Sequence, residues 1–296
     1  MEKYYSTDIC ILIPTKDRPH KIVNLIDSLI SQSTMVGRVI IVGSGENINT
    51  ILDPYKSKLP IEYYHSEISG QIRQRKLGVS KLDNRTKLVA TLDDDIILRP
   101  NALLEILEFW NTKDEITVGV GFNIENMSQH KYSKLKQIFY LSSKSPGYVL
   151  SSGYTTSLVN VESDIQTKWL NGGATLWLQE KLIQGIHKKS EDSIWSPCED
   201  LIFSYPIGKN NKLWICKNAK VIHDDKLVYK SVSEAFQRGI ILSKWTLNFV
   251  QQNPELSVLR FYIATFVSSS LNMVRKKLKY DFFFELGRLL FLFKIK

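Results

Sequence analysis

The apolar positions near the start of the chain alternate between strand-like runs and a helical pattern. Residues 8–14 are apolar almost throughout, which predicts a buried, central strand of a parallel sheet. A helix is predicted to begin at Pro19, since apolar side chains then recur at i, i+3, i+4, i+7 and i+8 from residue 22. A second apolar run follows at 37–42. Together these segments predict a βαβ unit over residues 8–42.

The same alternation continues further along the chain. We predict strands at 61–65, 87–92 and 115–121 and helices at 71–79 and 101–110. Strands that alternate with helices are typical of an α/β protein. The predicted fold class is therefore α/β, with a mostly parallel central sheet flanked by helices.

The second half of the chain is less regular. Residues 123–165 lack a sustained period, which indicates an excursion with helical pieces that serves an acceptor site or a lid. Apolar runs at 212–216 and 219–223 predict two further short strands. We accordingly divide the chain into a sheet-containing domain at 1–228 and a C-terminal helical extension at 229–296.

Three consecutive carboxylates end the predicted strand at 87–92. Asp93, Asp94 and Asp95 repel one another, so holding them close is costly unless a positive charge lies among them. Mg²⁺ or Mn²⁺ takes one or two protein carboxylates and completes its shell with water and substrate phosphates. The alternative is a solvated acidic turn before the next helix. Open α/β sheets bind ligands at the carboxyl ends of strands, which favours the metal site.

Other polar residues lie at similar positions in the predicted sheet. Thr15 to Arg18 form the loop after the first strand, where a ligand would bind. The helix at 71–79 has three cations in four residues, which either contact a diphosphate or form a solvated face. His223 ends the last strand beside acids; a lone His is usually structural, but here it is a natural further metal ligand.

Composition narrows the class of protein. The chain is 43% hydrophobic, as expected of a globular protein. Its three cysteines are far apart and form no C-x-x-C motif, so neither a disulfide framework nor a zinc site is indicated, and a reducing compartment fits best. The N-terminus shows no signal-peptide pattern.

The charge is concentrated at one end of the chain. The net charge is +9, and residues 256–296 alone carry eight basic and two acidic residues. This indicates a local basic surface rather than a nucleic-acid-binding protein. The apolar run at 261–267 is too short for a transmembrane span, but aromatic residues interleaved with Lys and Arg suit a helix lying in an anionic membrane surface. The alternatives are packing on the first domain or an oligomer interface.

Taken in order, the polar motifs resemble those of the family 2 glycosyltransferases, which have the GT-A fold. The resemblance covers about residues 8–225. Residues 13–18 resemble the opening nucleotide-binding loop, and 74–78 resemble the helix with an Ala-Arg-Asn-x-Gly pattern. Residues 93–95 resemble the D-x-D motif, and 171–174 are similar to the small-residue loop before the acceptor site. Residues 199–200 match the Glu-Asp pair, and residue 223 matches the late His.

The resemblance implies an inverting transfer of a sugar from a nucleotide-diphospho-sugar to an acceptor hydroxyl, with Mn²⁺ or Mg²⁺ as cofactor. Asp200 would be the catalytic base with Glu199 beside it, and Asp95 and His223 would be the metal ligands. Donor binding is implied for Pro14, Thr15, Asp17, Arg18, Ser44, Arg75, Asp93 and Asp94. Acceptor binding is implied for Trp169, Asn171, Gly172 and Gly173.

Two positions depart from the family pattern. The second strand ends in Val42-Gly43-Ser44, where many members have an acid that contacts the nucleotide base, and Lys76 replaces the usual Asn of the helix motif. The expected donor is a UDP- or dTDP-sugar and the expected acceptor a carbohydrate. We also expect a cytoplasmic enzyme, without nucleic-acid partners, that contacts a membrane peripherally or forms a homo-oligomer.

Two other functions remain open at this point. A sugar-phosphate nucleotidyltransferase would share the sheet and the acidic site, but no Gly-rich loop bearing Lys or Arg follows the first strand. A non-catalytic carbohydrate-binding relative would keep the fold without the chemistry. Asp95, Asp200 and His223 argue against that reading, because a binding module does not need them.

Overall fold

A computed structural model describes residues 3–129, 131–186, 197–224, 229–275 and 279–294. The chain folds into two compact units. Unit 1 comprises Met1–Gln129, Leu158–Trp195 and Phe203–Asp225, and unit 2 comprises His130–Ser157, Ser196–Ile202 and Lys226–Lys296. The extension predicted after residue 228 therefore shares its unit with two earlier segments.

The first βαβ unit is confirmed. Strand β1 spans Ile9–Lys16, helix α1 spans Pro19–Ile30 and strand β2 spans Arg38–Ser44. Strands β1 and β2 pair in parallel. The apolar face of α1 is buried, and nearly all of β1 is buried on both faces, because helices cover both sides of a central parallel strand.

The remaining elements of unit 1 follow the predicted alternation. The helices are α2 (Asn49–Leu52), α3 (Gln71–Val79), α4 (Ala102–Asn111) and α6 (Gln179–Ile186). The strands are β3 (Ile61–His65), β4 (Leu88–Leu92), β5 (Ile96–Leu98), β6 (Thr117–Ile124), β7 (Ile165–Thr167), β8 (Ala174–Leu178) and β9 (Lys212–His223). Helix α5 (Lys134–Ile138) lies in unit 2, and α7 (Glu199–Asn210) begins in unit 2 and continues in unit 1.

One sheet runs through unit 1 in the order β3-β2-β1-β4-β8-β6-β9-β5, and β7 pairs with β9. Strands β1 to β4 form its parallel half. Strand β8 runs antiparallel to both β4 and β6, whereas β6 and β9 are parallel to each other. Apolar clusters cover both faces of this sheet. The α/β class with flanking helices is confirmed, and the second half of the sheet is mixed.

The two short strands predicted at 212–216 and 219–223 are wrong as separate elements. They form the single strand β9, which pairs in parallel with β6. The pairing register shifts between Phe122 and Asn123, since Phe122 faces Cys216 and Asn123 faces Lys220. The polar residues between the two runs lie in this irregularity, and the Asn123 Nδ2 atom donates to the Lys217 carbonyl at 2.9 Å. A side-chain hydrogen bond thus replaces the interrupted ladder.

Unit 2 contains three long helices, α8 (Val232–Gln251), α9 (Val258–Arg275) and α10 (Lys279–Lys294). Helices α8 and α10 approach closely at two glycines. A Cβ atom added to Gly239 would lie 2.0 Å from the Phe284 carbonyl oxygen, and one added to Gly287 would lie 2.2 Å from the Phe236 carbonyl oxygen. Any larger side chain at these positions would therefore push the two backbones apart.

A buried polar network joins the 130–157 segment to α9 and α10. Arg288 donates to the Glu285 carboxylate at 2.8 Å and also to the Tyr154 hydroxyl. The Tyr154 hydroxyl donates to Thr265 at 3.1 Å, and Asn272 donates to Glu285 at 2.8 Å. Because buried polar groups are costly unless paired, this network fixes the segment against the helices of its own unit.

The three cysteines are free thiols. Burial raises the pKa of Cys10 to about 12, and burial also raises the pKa values of Cys198 and Cys216. Thiols of this kind stay protonated near neutral pH, and the thiolate is the reactive form.

No helix in the described part of the chain is long and apolar enough to cross a membrane. Helices α9 and α10 nevertheless expose large apolar side chains. The most exposed are Leu259, Phe266, Val274 and Phe293. The C-terminal helical extension thus exposes apolar side chains in addition to its positive charge.

Candidate active site

The acidic segment forms a tight connection between β4 and β5. The Asp93 N–H donates to the Gly173 carbonyl at 2.9 Å, and the Ile96 N–H donates to the Asp93 carbonyl at 3.1 Å. The three carboxylates line a cavity of about 380 Å³ at the carboxyl ends of β1 and β4. Pro14, Thr15 and Arg18, for which donor binding was implied, line the same cavity. It is the position at which open α/β sheets bind ligands.

Asp93 is held by helix α3. Its Oδ1 atom accepts hydrogen bonds from Gln71 Nε2 and from Arg75 Nη2, both at 2.7 Å. Arg75 is buried, whereas the Asp93 side chain is 30% exposed and faces the cavity. The positive charge predicted in this helix thus lies beside the acidic turn. Gln71 was not predicted as a site residue, although its position in the first turn of α3 was a usable signal.

Asp94 is buried and contacts the loop after β1. It accepts a hydrogen bond from the Thr15 hydroxyl at 2.6 Å and forms an ion pair with Arg18 at 3.2 Å. Burial raises the pKa of Asp94 to about 6, and the Thr15 hydroxyl and the Arg18 charge oppose that rise. Thr15 and Arg18 therefore connect the loop after β1 to the acidic turn.

Asp95 lies beside His223. The His223 Nε2 atom is 3.4 Å from Asp95 Oδ1, and Arg18 Nη1 is 3.1 Å from Asp95 Oδ2. This proximity follows from strand pairing, because β5 and β9 are antiparallel with Ile96 opposite His223. The Asp224 N–H also donates to the Asp95 carbonyl at 2.7 Å.

These two side chains fit a divalent cation with few protein ligands. A carboxylate oxygen and an imidazole nitrogen both suit Mn²⁺, and Mg²⁺ is commonly held by one or two protein ligands with water and phosphates. Within the described ranges, no three His, Cys, Asp or Glu side chains converge as a metal-binding group. A cation held by these two side chains would keep coordination positions open for water or for ligand phosphates.

Asp17 stabilises the turn after β2. The Asp17 Oδ1 atom accepts a hydrogen bond from the Glu46 N–H at 2.8 Å. Gly45 has a φ of 76°, and a Cβ atom there would lie 2.1 Å from Asp17 Oδ1. A glycine is therefore needed both for the backbone conformation and for this close approach. The neighbouring Ser44 side chain is buried, and its hydroxyl has no hydrogen-bond partner among the described residues.

A second residue of α3 that the sequence analysis did not select is Gln74. Its Nε2 atom donates to the carbonyls of Thr15 and Val42, both at 2.7 Å. The side chain is buried between the ends of β1 and β2. Gln74 thus fixes the position of α3, and with it Arg75, relative to both strands. The sequence held one signal for this role: Gln74 stands next to the cation Arg75 in a helix that follows a ligand loop.

The small-residue loop before β8 contacts the acidic turn directly. A Cβ atom added to Gly173 would lie 2.1 Å from Asp93 Oδ2, so only glycine fits without displacing the carboxylate. The Asn171 carbonyl accepts a hydrogen bond from Thr175 Oγ1 at 2.6 Å, and Gly172 is buried. Trp169 is half-buried, and its indole N–H has no hydrogen-bond partner within the described chain.

We expect Gly173→Ala to weaken donor binding by displacing Asp93 from Arg75. Overpacking of this kind typically costs about 1–3 kcal/mol, so affinity for the donor nucleotide should fall by about tenfold or more. Isothermal titration with nucleoside diphosphate and Mn²⁺ measures the effect. The thermal midpoint of unliganded Gly173→Ala, measured beside that of wild type, separates this local displacement from a loss of folding. Equal affinity for Gly173→Ala and wild type would contradict the expected displacement.

Glu199 and Asp200 form the first turn of α7 in unit 2. Glu199 is buried and Asp200 is half-buried. The preceding Cys198 has a φ of 65°, which turns the chain sharply into the helix. Acidic residues in a first helical turn are favoured by the helix dipole, so this position alone does not distinguish a catalytic role from a capping role.

The sequence profile described as Glycosyl transferase family 2 matches residues 10–163, just over half of the chain. The chain belongs to this family. It is also similar to the minor teichoic acid biosynthesis protein GgaA of Bacillus subtilis (strain 168), with 22% identity over 210 residues. That match covers 65% of this chain and 41% of GgaA, so the chain spans about two-fifths of that relative's length.

Solved glycosyltransferase structures share the fold. Residues 1–349 of S. aureus TarS superpose with a TM-score of 0.53 at 14% identity, covering 96% of this chain and 80% of that one. A mannosyltransferase from Pyrobaculum calidifontis, PcManGT in complex with GDP-Man and Mn²⁺, gives a TM-score of 0.58 at 10% identity, covering 98% and 82%. TarS structures with UDP and UDP-GlcNAc are also similar. These neighbours establish the GT-A fold.

Proposed function

We propose that this protein is a metal-assisted, inverting glycosyltransferase that moves a sugar from a nucleotide-diphospho-sugar to the hydroxyl of a carbohydrate acceptor. The observation that carries the proposal is the cation-lined acidic turn, in which Asp93 contacts Arg75 and Asp95 lies beside His223. Opposite charges at a strand end suit a ligand that is itself a diphosphate with a bound cation.

The donor diphosphate would bind between the loop after β1 and the start of α3. Arg18 and Arg75 supply positive charge there, and Asp93 would orient the ribose or base. A guanidinium group suits phosphate because it can donate two hydrogen bonds at once. We propose a UDP- or dTDP-sugar as donor. TarS structures with UDP and UDP-GlcNAc support the uridine nucleotide, whereas PcManGT holds GDP-Man.

Mn²⁺ or Mg²⁺ is the proposed cofactor, with Asp95 and His223 as its protein ligands. When bound, the cation would act as a Lewis acid towards the negative charge that develops on the leaving diphosphate. The chain's own contribution is to hold the two ligands 3.4 Å apart through the pairing of β5 and β9. The Mn²⁺ in the PcManGT complex supports this choice of metal.

Asp200 is the proposed general base. An alcohol is a weak nucleophile, so a carboxylate must accept its proton as it attacks the anomeric carbon in line. Inversion follows because one displacement occurs and no covalent intermediate forms. The place of Asp200 in the first turn of α7, together with the family resemblance, supports this role. Trp169, Asn171 and the two following glycines are proposed to contact the acceptor.

Product analysis tests the proposal and separates it from its alternatives. The full chain is incubated with Mn²⁺ and a panel of nucleotide-sugars, and slow release of nucleoside diphosphate is expected even without acceptor. Release of pyrophosphate from a nucleoside triphosphate and a sugar phosphate would instead identify a nucleotidyltransferase. A protein that binds these donors but releases neither product would be the non-catalytic relative.

We further propose that the exposed apolar residues of α9 and α10 bind an anionic membrane surface. Phe282→Ser combined with Phe293→Ser should weaken binding to phosphatidylglycerol vesicles at least about tenfold, because burying one aromatic side chain contributes about 1.5–3 kcal/mol. Vesicle co-sedimentation of the full chain measures this. Tyr5→Ser combined with Met35→Ser removes equally exposed apolar groups from unit 1 and serves as control. If both pairs sediment alike, the membrane proposal fails.

A further inference from the structure

Unit 2 contains a cavity of about 470 Å³ that lies entirely within that unit. Its walls come from the 131–156 segment, from Cys198 and Leu201 at the start of α7, and from α8, α9 and α10. This volume is within the range of small-molecule binding sites. It shares no lining residue with the acidic cavity of unit 1, and two of its lining residues, Cys198 and Leu201, flank the Glu199-Asp200 pair in the chain.

The charge of this cavity is one-sided. Lys131, Lys136, Arg275 and Arg288 all line it, and no Asp or Glu lines it among the described residues. Arg288 is paired with Glu285, which lies behind the wall. Within the described ranges, the other three cations have no carboxylate partner. Clustered cations repel one another, so a bound anion would stabilise them.

Two buried polar atoms in the walls also lack partners. The Ser243 hydroxyl and the Arg288 Nε–H form no hydrogen bond in the described structure, although both residues are more than nine-tenths buried. Leaving such groups unpaired costs about 1–3 kcal/mol each, so native proteins usually satisfy them. Both atoms are sealed from the cavity, so a ligand there would reach them only after their side chains turn towards it.

The rest of the lining indicates what accompanies the anionic group. Ser143, Thr155 and Ser268 bring further hydroxyl groups to the cavity. Leu242 and Phe261 supply an apolar wall. Hydroxyl groups pair well with the hydroxyls of a sugar or polyol, which both donate and accept hydrogen bonds.

We propose that the unit 2 cavity binds a phosphate ester of a polyol or sugar, with the phosphate near Lys136 and Arg275. Phosphate matches the unpaired cations, and the Ser243 hydroxyl would donate to it after its side chain turns towards the cavity. The ester part lies against the hydroxyl groups. This site goes beyond the glycosyl transfer proposed above, and its ligand binding can be measured without any donor sugar.

Isothermal titration of the full chain with glycerol 3-phosphate tests the proposal. The pair Lys136→Gln and Arg275→Gln should weaken binding at least about tenfold, since each substitution removes one charge-assisted contact to phosphate. The control pair Lys134→Gln and Lys244→Gln removes the same charge from unit 2 outside the cavity, and it should bind like wild type. Equal affinities for the two pairs would overturn the proposal.

A comparator in unit 1 shows where the phosphate binds. Arg18→Gln alters the acidic cavity and should leave glycerol 3-phosphate binding unchanged. If Arg18→Gln abolishes binding and the unit 2 pair does not, the anion binds in unit 1 and the inference is wrong. If the wild-type chain binds glycerol 3-phosphate but does not turn over any donor, the proposed transferase fails and the unit 2 site stands.

Three probes separate the sources of phosphate. Glycerol 3-phosphate should bind more tightly than inorganic phosphate, and glycerol should not bind. Equal affinity for inorganic phosphate would overturn the role of the ester. The chain could instead bind phosphatidylglycerol vesicles but not soluble glycerol 3-phosphate. That result would overturn the cavity site in favour of a lipid surface.

Ser243→Ala supplies an independent measurement. Because the hydroxyl has no partner in the described structure, its removal should leave the thermal midpoint of the unliganded protein unchanged or slightly raised. The same variant should bind glycerol 3-phosphate several-fold more weakly. A lower thermal midpoint with unchanged affinity would show that the hydroxyl serves the fold and not a ligand.

Discussion

Asp95→Asn is expected to reduce glycosyl transfer at least about a hundredfold while the protein stays folded. The substitution keeps the side chain's shape but removes the negative charge beside His223. A neutral amide is a poor ligand for Mn²⁺ or Mg²⁺, so the diphosphate would leave without charge stabilisation. The effect should appear mainly in turnover.

Mn²⁺ titration measures the cause separately from activity. The affinity of Asp95→Asn for Mn²⁺ in the presence of nucleoside diphosphate should fall in parallel with turnover. Asp53→Asn removes the same charge from an exposed turn and should behave like wild type. If the wild-type enzyme is as active in EDTA as in Mn²⁺, the assignment of Asp95 as a metal ligand is wrong.

Asp200→Asn is expected to bind donor and metal normally and to lose activity by about 10²–10⁴-fold, the usual cost of removing a general base. The amide keeps the size and hydrogen-bonding reach of the acid but cannot accept the proton of the acceptor hydroxyl. Measurement of kcat with saturating donor and acceptor, together with donor affinity by titration, separates this loss from a binding defect.

Glu199→Gln provides the internal comparison. Side chains of adjacent helical residues point about 100° apart, so only one of the two acids can face a given acceptor. Glu199 is buried and Asp200 is half-buried, which leaves Asp200 as the more accessible carboxylate. We expect the smaller loss for Glu199→Gln. A reversed order would reassign the base to Glu199 and leave the glycosyltransferase family unaffected.

The parallel half of the sheet could be predicted because its signals are local. The buried runs that became β1, β2 and β4 are almost uninterrupted, and α1 has a clear apolar face. Strand β9 could not be predicted as one element, because Lys217 and Asn218 interrupt its apolar pattern. Its continuity depends on the hydrogen bond from Asn123, a residue distant in sequence.

The acidic site could be predicted in part, again because some of its signals are local in the sequence. The turn at Asp93 to Asp95 follows a strand directly, and His223 ends a strand, so both were selected. Their contact at 3.4 Å depends on the three-residue strand β5, which is too short to show a period. Gln71 and Gln74 were missed because the sequence does not show which carboxylate or carbonyls a glutamine side chain reaches, whether that side chain is exposed, as in Gln71, or buried, as in Gln74.

Unit 2 was the least predictable part. Residues 130–157 were assigned to the sheet-containing domain, and nothing local to that stretch indicates that Tyr154 would contact Thr265 and Arg288. Contacts between residues more than a hundred positions apart follow from packing, which a single sequence does not display. The cavity between these elements could not be anticipated for the same reason.

The buried state of the native thiols has a practical consequence for spectroscopy. Because Cys10, Cys198 and Cys216 all have raised pKa values, little thiolate is present at neutral pH. A cysteine introduced at an exposed position should therefore react with a maleimide dye much faster than the native ones. Fluorescent labels can then be attached at chosen exposed sites without first removing the natural cysteines, and donor binding can be followed in the otherwise unaltered chain.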